Sequence, residues 1–124
     1  MLKTYRYRLY PTDNQEQLFN KHLGSTRFIY NLALETKISA YKSNKVNLSR
    51  YDLQKQLIEL KQEATWLKEI NSQSIQYSLL QLDNAFKNFF KGTGFPQFKK
   101  KRNKSTFHVP QSAKIINNEL FIPF

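Results

Sequence analysis

Three runs of apolar residues at helical spacing constrain this chain more than any other feature. Tyr30, Leu34, Ile38 and Tyr41 share one face, broadened by Phe28, Ile29, Leu32 and Ala33. Leu53, Leu57, Leu60, Ala64 and Leu67 form a second stripe, with Trp66 close to its end, and Ile75, Leu79, Leu82, Phe86 and Phe89 form a third. Recurrence at i, i+3, i+4 and i+7 is the pattern of an amphipathic helix that buries one side. The punctuation agrees. Thr12 followed by Gln15, and Ser49 followed by Asp52, have the form of capping boxes. A helix is therefore expected from about Asp13. Gly24 is expected to interrupt or end it, and a second helix to cover about 25–43. A polar loop follows at 43–47, then a helix capped by Ser49, then one capped by Asn71 or Ser72. Core packing explains all the stripes, and no cofactor box is needed.

The two ends read differently. Residues 2–10 alternate Tyr5, Tyr7 and Leu9 with Arg6 and Arg8, a period of two that predicts a strand ended by Pro11. Gly92, Gly94 and Pro96 close the helical region. A short strand is expected at 105–109. Ala113–Ile116 and Glu119–Ile122 are placed to pair around Asn117-Asn118, because Asn tolerates the positive φ of a tight turn. The expected fold is α+β: an N-terminal strand, three to four helices inserted as a lobe, then short C-terminal antiparallel strands of one sheet or barrel. The apolar segment Phe121–Phe124 calls for a covering partner.

Charge narrows the function. The 124 residues carry a net charge of +11, which bears on partners rather than on fold. Residues 1–10 hold three basic side chains and no acid, residues 11–83 nine against eight, and residues 84–124 eight against one. The middle is near neutral and the ends are basic. A charge run by itself is ordinarily a solvated face or a tail. Here it is interleaved with aromatics, which points toward nucleic acid. The absence of cysteine excludes disulfides, a thiol nucleophile and a Cys-based zinc site. His22 and His108 lie far apart. Asp13, Glu16, Glu35, Asp52, Glu59, Glu63 and Glu69 read as helix surface charges. No metal-ligand spacing or phosphate loop is present, so no intrinsic enzyme, cofactor or metal is expected. No apolar run has the length of a membrane span, and the N-terminus lacks the apolar core of a signal peptide. A soluble intracellular protein with an anionic partner is expected.

Arg6, Arg8, Lys99, Lys100, Lys101, Arg102 and Lys104 are the candidate phosphate contacts. Tyr5, Tyr7 and Phe98 are either stacking platforms for unpaired bases or core residues. A helix-turn-helix around Gly24 is conceivable, but Arg27-Phe28-Ile29-Tyr30-Asn31 is too apolar for a free recognition helix.

Three motifs together resemble one family. The opening Tyr5-Arg6-Tyr7-Arg8-Leu9-Tyr10-Pro11-Thr12 with Gln15, then Arg27-Phe28-Ile29-Tyr30-Asn31, then Lys91 through Gly94-Phe95-Pro96-Gln97-Phe98-Lys99-Lys100-Lys101, resemble the TnpB family. These are the OrfB-type transposases of bacterial insertion sequences. The resemblance implies an RNA-guided DNA endonuclease similar to type V CRISPR effectors, working in the bacterial cytoplasm or on the nucleoid. Its N-terminal part would be a wedge-like β-barrel interrupted by a helical recognition lobe, also described as a helix-turn-helix domain. The implied division is 1–11 and 93–124 for an incomplete wedge-like module, and 12–92 for the lobe. The implied partners are guide-like RNA and DNA. Arg27 is implied as a nucleic-acid contact, and Tyr5, Tyr10, Pro11, Gln15, Asn31, Gly94, Pro96 and Phe98 as motif positions. Arg27 and Asn31 fit a structural role equally well. The family's RuvC-like carboxylates and zinc ribbon lie C-terminal to the matched motifs. With no cysteine and only Glu119 acidic after Asp83, binding carries over and cutting does not. A truncated part that complements a separately encoded C-terminal nuclease fragment is the alternative expectation.

Overall fold

The computed structural model describes residues 4–101, 109, 113–116 and 119–122. Three helices make the body: α1 (Asp13–Asn44), α2 (Arg50–Glu63) and α3 (Ser72–Phe90), with a 3-10 turn at Thr65–Glu69 between the last two. Strands β1 (Lys114–Ile116) and β2 (Glu119–Phe121) pair antiparallel, Ile115 opposite Leu120.

Helix α1 begins where the capping box places it. The Thr12 hydroxyl accepts from the Gln15 N–H, and the Gln15 side chain accepts from the Thr12 N–H at 2.9 Å. It then runs unbroken for 32 residues, about 48 Å at the usual rise. The expected break at Gly24 does not occur. One glycine costs a helix about 1 kcal/mol, and His22, Ser25, Thr26 and Ile29 are buried on either side of it. Their packing outweighs that cost. The helix ends at Lys45, held in the left-handed region at φ 56° with its N–H bonded to the Tyr41 carbonyl. Tyr41, expected on the buried face, stands in solvent at this end.

Helix α2 opens on the second capping box, Ser49 with Asp52. The Ser49 N–H and hydroxyl both donate to the Asp52 carboxylate and hold it below the usual carboxylate range. Helix α3 starts at Asn71, whose side-chain oxygen accepts from the Gln73 and Ser74 N–H groups. The core joins the three stripes: Ile29, Ala33 and Leu34 from α1, Leu53 and Leu57 from α2, Leu67 and Ile70 from the turn, and Ile75, Leu79 and Leu82 from α3.

One polar joint lies inside this packing. His22 has no exposed surface. Its Nδ1 lies 3.0 Å from the Leu18 carbonyl, and its Nε2 accepts from the Asn71 N–H at 3.2 Å. A ring that donates at Nδ1 and accepts at Nε2 is the neutral tautomer. Burial lowers its pKa, and the Lys21 charge pushes the same way against the Leu18 carbonyl. Lys21 itself pairs with Glu69, so the first half of α1 is tied to the start of α3.

The ends depart from expectation. The described part of the N-terminal segment, 4–12, is irregular and not a strand. Its alternation survives as rings on one side, but a strand needs a ladder of hydrogen-bonded partners, and the only ladder among the described residues joins β1 to β2. The two-stranded hairpin is the whole sheet among the described residues, so the expected barrel is not formed there. Of the strand expected at 105–109, residues 105–108 lie outside the described residues.

Candidate nucleic-acid interface

The second and third motifs meet in one contact. The Asn31 carboxamide donates from Nδ2 to the Lys99 carbonyl at 2.8 Å, and its Oδ1 accepts from the Lys99 N–H at 2.7 Å. A carboxamide carries a donor and an acceptor side by side, as a backbone N–H and C=O do. Asn31 therefore acts toward Lys99 as a one-residue strand partner. Upstream, Phe95 meets Phe89 and Phe86 edge-on, with centroids 5.1 and 5.5 Å apart. Pro96 is buried. The segment after α3 is thus turned back and fixed along the helical body.

The turn that redirects it rests on Gly92. That residue sits at φ 108°, a region a side chain rarely adopts. The N–H groups of Gly92 and Thr93 bond to the Phe89 and Asn88 carbonyls, a Schellman closure of α3. The motif reading named Gly94 instead, where a Cβ would meet open space.

The clamp changes the reading of Lys99. Its ammonium lies 4.3 Å from the Tyr30 ring centroid and 3.3 Å from the Gln81 side-chain oxygen. Half-burial lowers its pKa. It is an anchor facing the body, in contrast to Lys100 and Lys101, which stand in solvent immediately after it. Arg102 and Lys104 lie outside the described residues. Arg27 is one helical turn before Asn31, half-buried, its guanidinium folded over Gly24.

At the other end Arg6 and Arg8 are exposed, with Tyr5, Tyr7, Tyr10 and Pro11. Phe98 is exposed as well. These aromatic side chains are not core residues. Gln15 serves in the α1 cap. Arg8 to Thr12 line a cleft of about 700 Å³ together with Gln15, Leu18, Phe19 and Glu119 to Ile122, so the N-terminal segment and the hairpin come together.

Two charged or polar joints escaped the sequence reading. His22 lies on the stripe that includes Thr26, Ile29 and Ala33, and that spacing was its signal. Lys37 donates to the Leu48 carbonyl and lies 4.7 Å from the Phe86 ring. Burial lowers its pKa against the opposing pull of Asp83 and Asp52. Among the described residues no three His, Cys, Asp or Glu side chains converge as a metal site. No described helix is long and apolar enough to cross a membrane.

Residues 1–46 match the family model described as a helix-turn-helix domain of OrfB/IS605 type. InsQ of Escherichia coli (strain K12), by name an RNA-guided DNA endonuclease, is 33% identical over 127 residues. The match takes in 98% of this chain and 32% of InsQ. The chain carries an OrfB/IS605-type helix-turn-helix domain at its N-terminus and is homologous to the TnpB-type InsQ. A Streptomyces pristinaespiralis protein, also named as an RNA-guided DNA endonuclease, is 32% identical over 90% of this chain and 29% of its own length. The chain thus spans about a third of these two relatives. The virulence protein VsdF of Salmonella dublin is 34% identical over 84% of this chain, and the match covers 98% of VsdF. The stretch matched by the family model is the N-terminal segment and α1, and a loop at 45–49 leads on to α2.

Proposed function

We propose that this chain is a nucleic-acid-binding module of the TnpB family that grips DNA or RNA chiefly through the phosphate backbone. One observation carries the reading: the basic run is rooted on a near-neutral helical body by the Asn31 clamp, which leaves Lys100 and Lys101 in solvent. Cations with a fixed origin and free ends suit phosphates, which reward charge and tolerate varied geometry. Arg6, Arg8, Arg27, Lys100, Lys101, Arg102 and Lys104 supply the contacts in this reading. Segments 1–11 and 93–124 form the binding module on a helical lobe, 12–92. The names of InsQ and the Streptomyces relative support guide RNA and target DNA as the ligands. In this reading the chain holds nucleic acid and does not cut it.

Fluorescence anisotropy with a DNA duplex and an RNA hairpin across a salt series tests this. Neutralising about five phosphates gives a log–log slope of about −4.5 on duplex DNA. Lys100→Gln with Lys101→Gln should flatten it by about two charges and weaken all sequences alike. A slope near zero removes the electrostatic mechanism.

The hairpin favours a second reading. Ile115, Leu120 and Phe121 are exposed on a sheet with two strands among the described residues, which suits an interaction module completed by a separately encoded nuclease fragment. Co-purification with such a fragment, lost in Phe121→Asp, is the expected result. A pairing that Phe121→Asp leaves intact refutes it.

A further inference from the structure

Tyr5, Tyr7 and Tyr10 are 67%, 71% and 84% exposed, although large aromatic side chains gain most from burial. The rings of Tyr5 and Tyr7 are nearly parallel, 25° apart, with centroids 6.3 Å from each other. Stacked bases lie about 3.4 Å apart along a strand, so one base held between two rings needs about 6.8 Å. With centroids 6.3 Å apart, the rings must part by at least about half an ångström to admit a base. The Arg8 guanidinium lies 5.8 Å from the Tyr10 ring centroid, next to that pair, and Arg6 sits between the two tyrosines in sequence. Both are exposed cations; residues 4–12 hold no carboxylate, and Glu119 lines the cleft that Arg8 borders.

We infer that Tyr5 and Tyr7 form a clamp for an unpaired nucleotide, with Arg6 and Arg8 on the phosphates that flank it. The inference rests on the nucleic-acid reading above and names the part of the ligand that this segment takes. A paired base cannot enter between two rings without leaving its duplex, so a single-stranded stretch of RNA or DNA is the substrate class. Stacking between rings works with every base because every base has a π-face. The clamp therefore supplies affinity for unpaired strands without sequence preference. The basic run after Lys99, in contrast, grips any backbone.

The test compares the full chain with Tyr5→Leu/Tyr7→Leu and with Tyr5→Phe/Tyr7→Phe. Both rings stand outside the helical core, so the helical circular-dichroism signal should match the parent in each variant. The probes are labelled short uridine and thymidine homopolymers and a DNA duplex. The leucine pair should lose about 5- to 150-fold on the homopolymers, with duplex affinity and salt slope unchanged. The phenylalanine pair should bind like the parent. Comparable loss on both homopolymers indicates a base platform shared by RNA and DNA, whereas loss on one alone assigns the clamp to that nucleic acid. Undiminished binding of the homopolymers by the leucine pair overturns the clamp while leaving the backbone reading intact. Equal loss on homopolymer and duplex overturns it as well. A parent that binds no probe with a salt slope removes both readings together.

Discussion

Replacing Asn31 with Ala is the most direct probe of how the basic run is held. The substitution removes both hydrogen bonds to the Lys99 backbone, at 2.8 and 2.7 Å, and leaves that N–H and C=O to find water. Each such bond has a net value of about 0.5–1.5 kcal/mol, so docking of residues 95–101 should weaken by about 1–3 kcal/mol. The open population rises about 5- to 150-fold, at a factor of ten per 1.4 kcal/mol. Trypsin cleavage after Lys99, whose side chain is held against Tyr30 and Gln81, reports that population, provided closing is faster than cutting. The expected rate increase is therefore of the same size. Helix content should be unchanged, because Asn31 lies mid-helix and alanine favours a helix. Asn31→Asp should do at least as much, since its carboxylate faces the Lys99 carbonyl and donates nothing. Cleavage of the Ala variant at the parent rate would refute the clamp.

Three further outcomes are expected. The lowered pKa of His22 means that the unfolded chain takes up a proton near pH 6.5 that the folded chain refuses. Stability is complete above about pH 6.5 and falls as pH drops through 6.5 toward the folded value, at up to about 1.4 kcal/mol per pH unit. Urea titrations between neutral and mildly acidic pH should show this in the parent and not in His22→Gln, and parallel curves would sink the assignment. Gly24→Ala should stabilise by about 0.5–1 kcal/mol, because the added Cβ meets the Arg27 guanidinium at an ordinary 3.7 Å. A fall in melting temperature would contradict it. Phe95→Ala should cost about 1–3 kcal/mol by removing two edge-on ring contacts and should raise cleavage after Lys99 as Asn31→Ala does. Unchanged cleavage would show that Phe95 does not anchor the segment.

Local signals were legible and partner-dependent ones were not. The capping boxes at Thr12 and Ser49, the cap at Asn71 and the three apolar stripes depend on residues within a turn of each other, and the helices follow them. Gly24 misled because its cost is local, whereas the burial of His22, Ser25 and Thr26 around it is tertiary. The alternation over 2–10 specifies which side chains share a face and says nothing about a neighbouring strand. Lys99 looked like its neighbours in the run, since composition registers the charge but not the Tyr30 ring beneath it. His22 carried a spacing signal, yet its partner Asn71 is 49 residues away. Asn31 had been open between nucleic acid and a structural role, and its two bonds to Lys99 supply the structural one.

The Asn31 contact is made to main-chain atoms alone. It would hold any residue at position 99 that has an N–H, whatever its side chain. Path and chemistry are therefore separable along this run. Substitutions at 100 and 101 can retune charge, reach or salt sensitivity while the chain still leaves the helical body at the same point. The surface that meets the ligand is free to drift as long as one asparagine, far away in sequence, stays where it is.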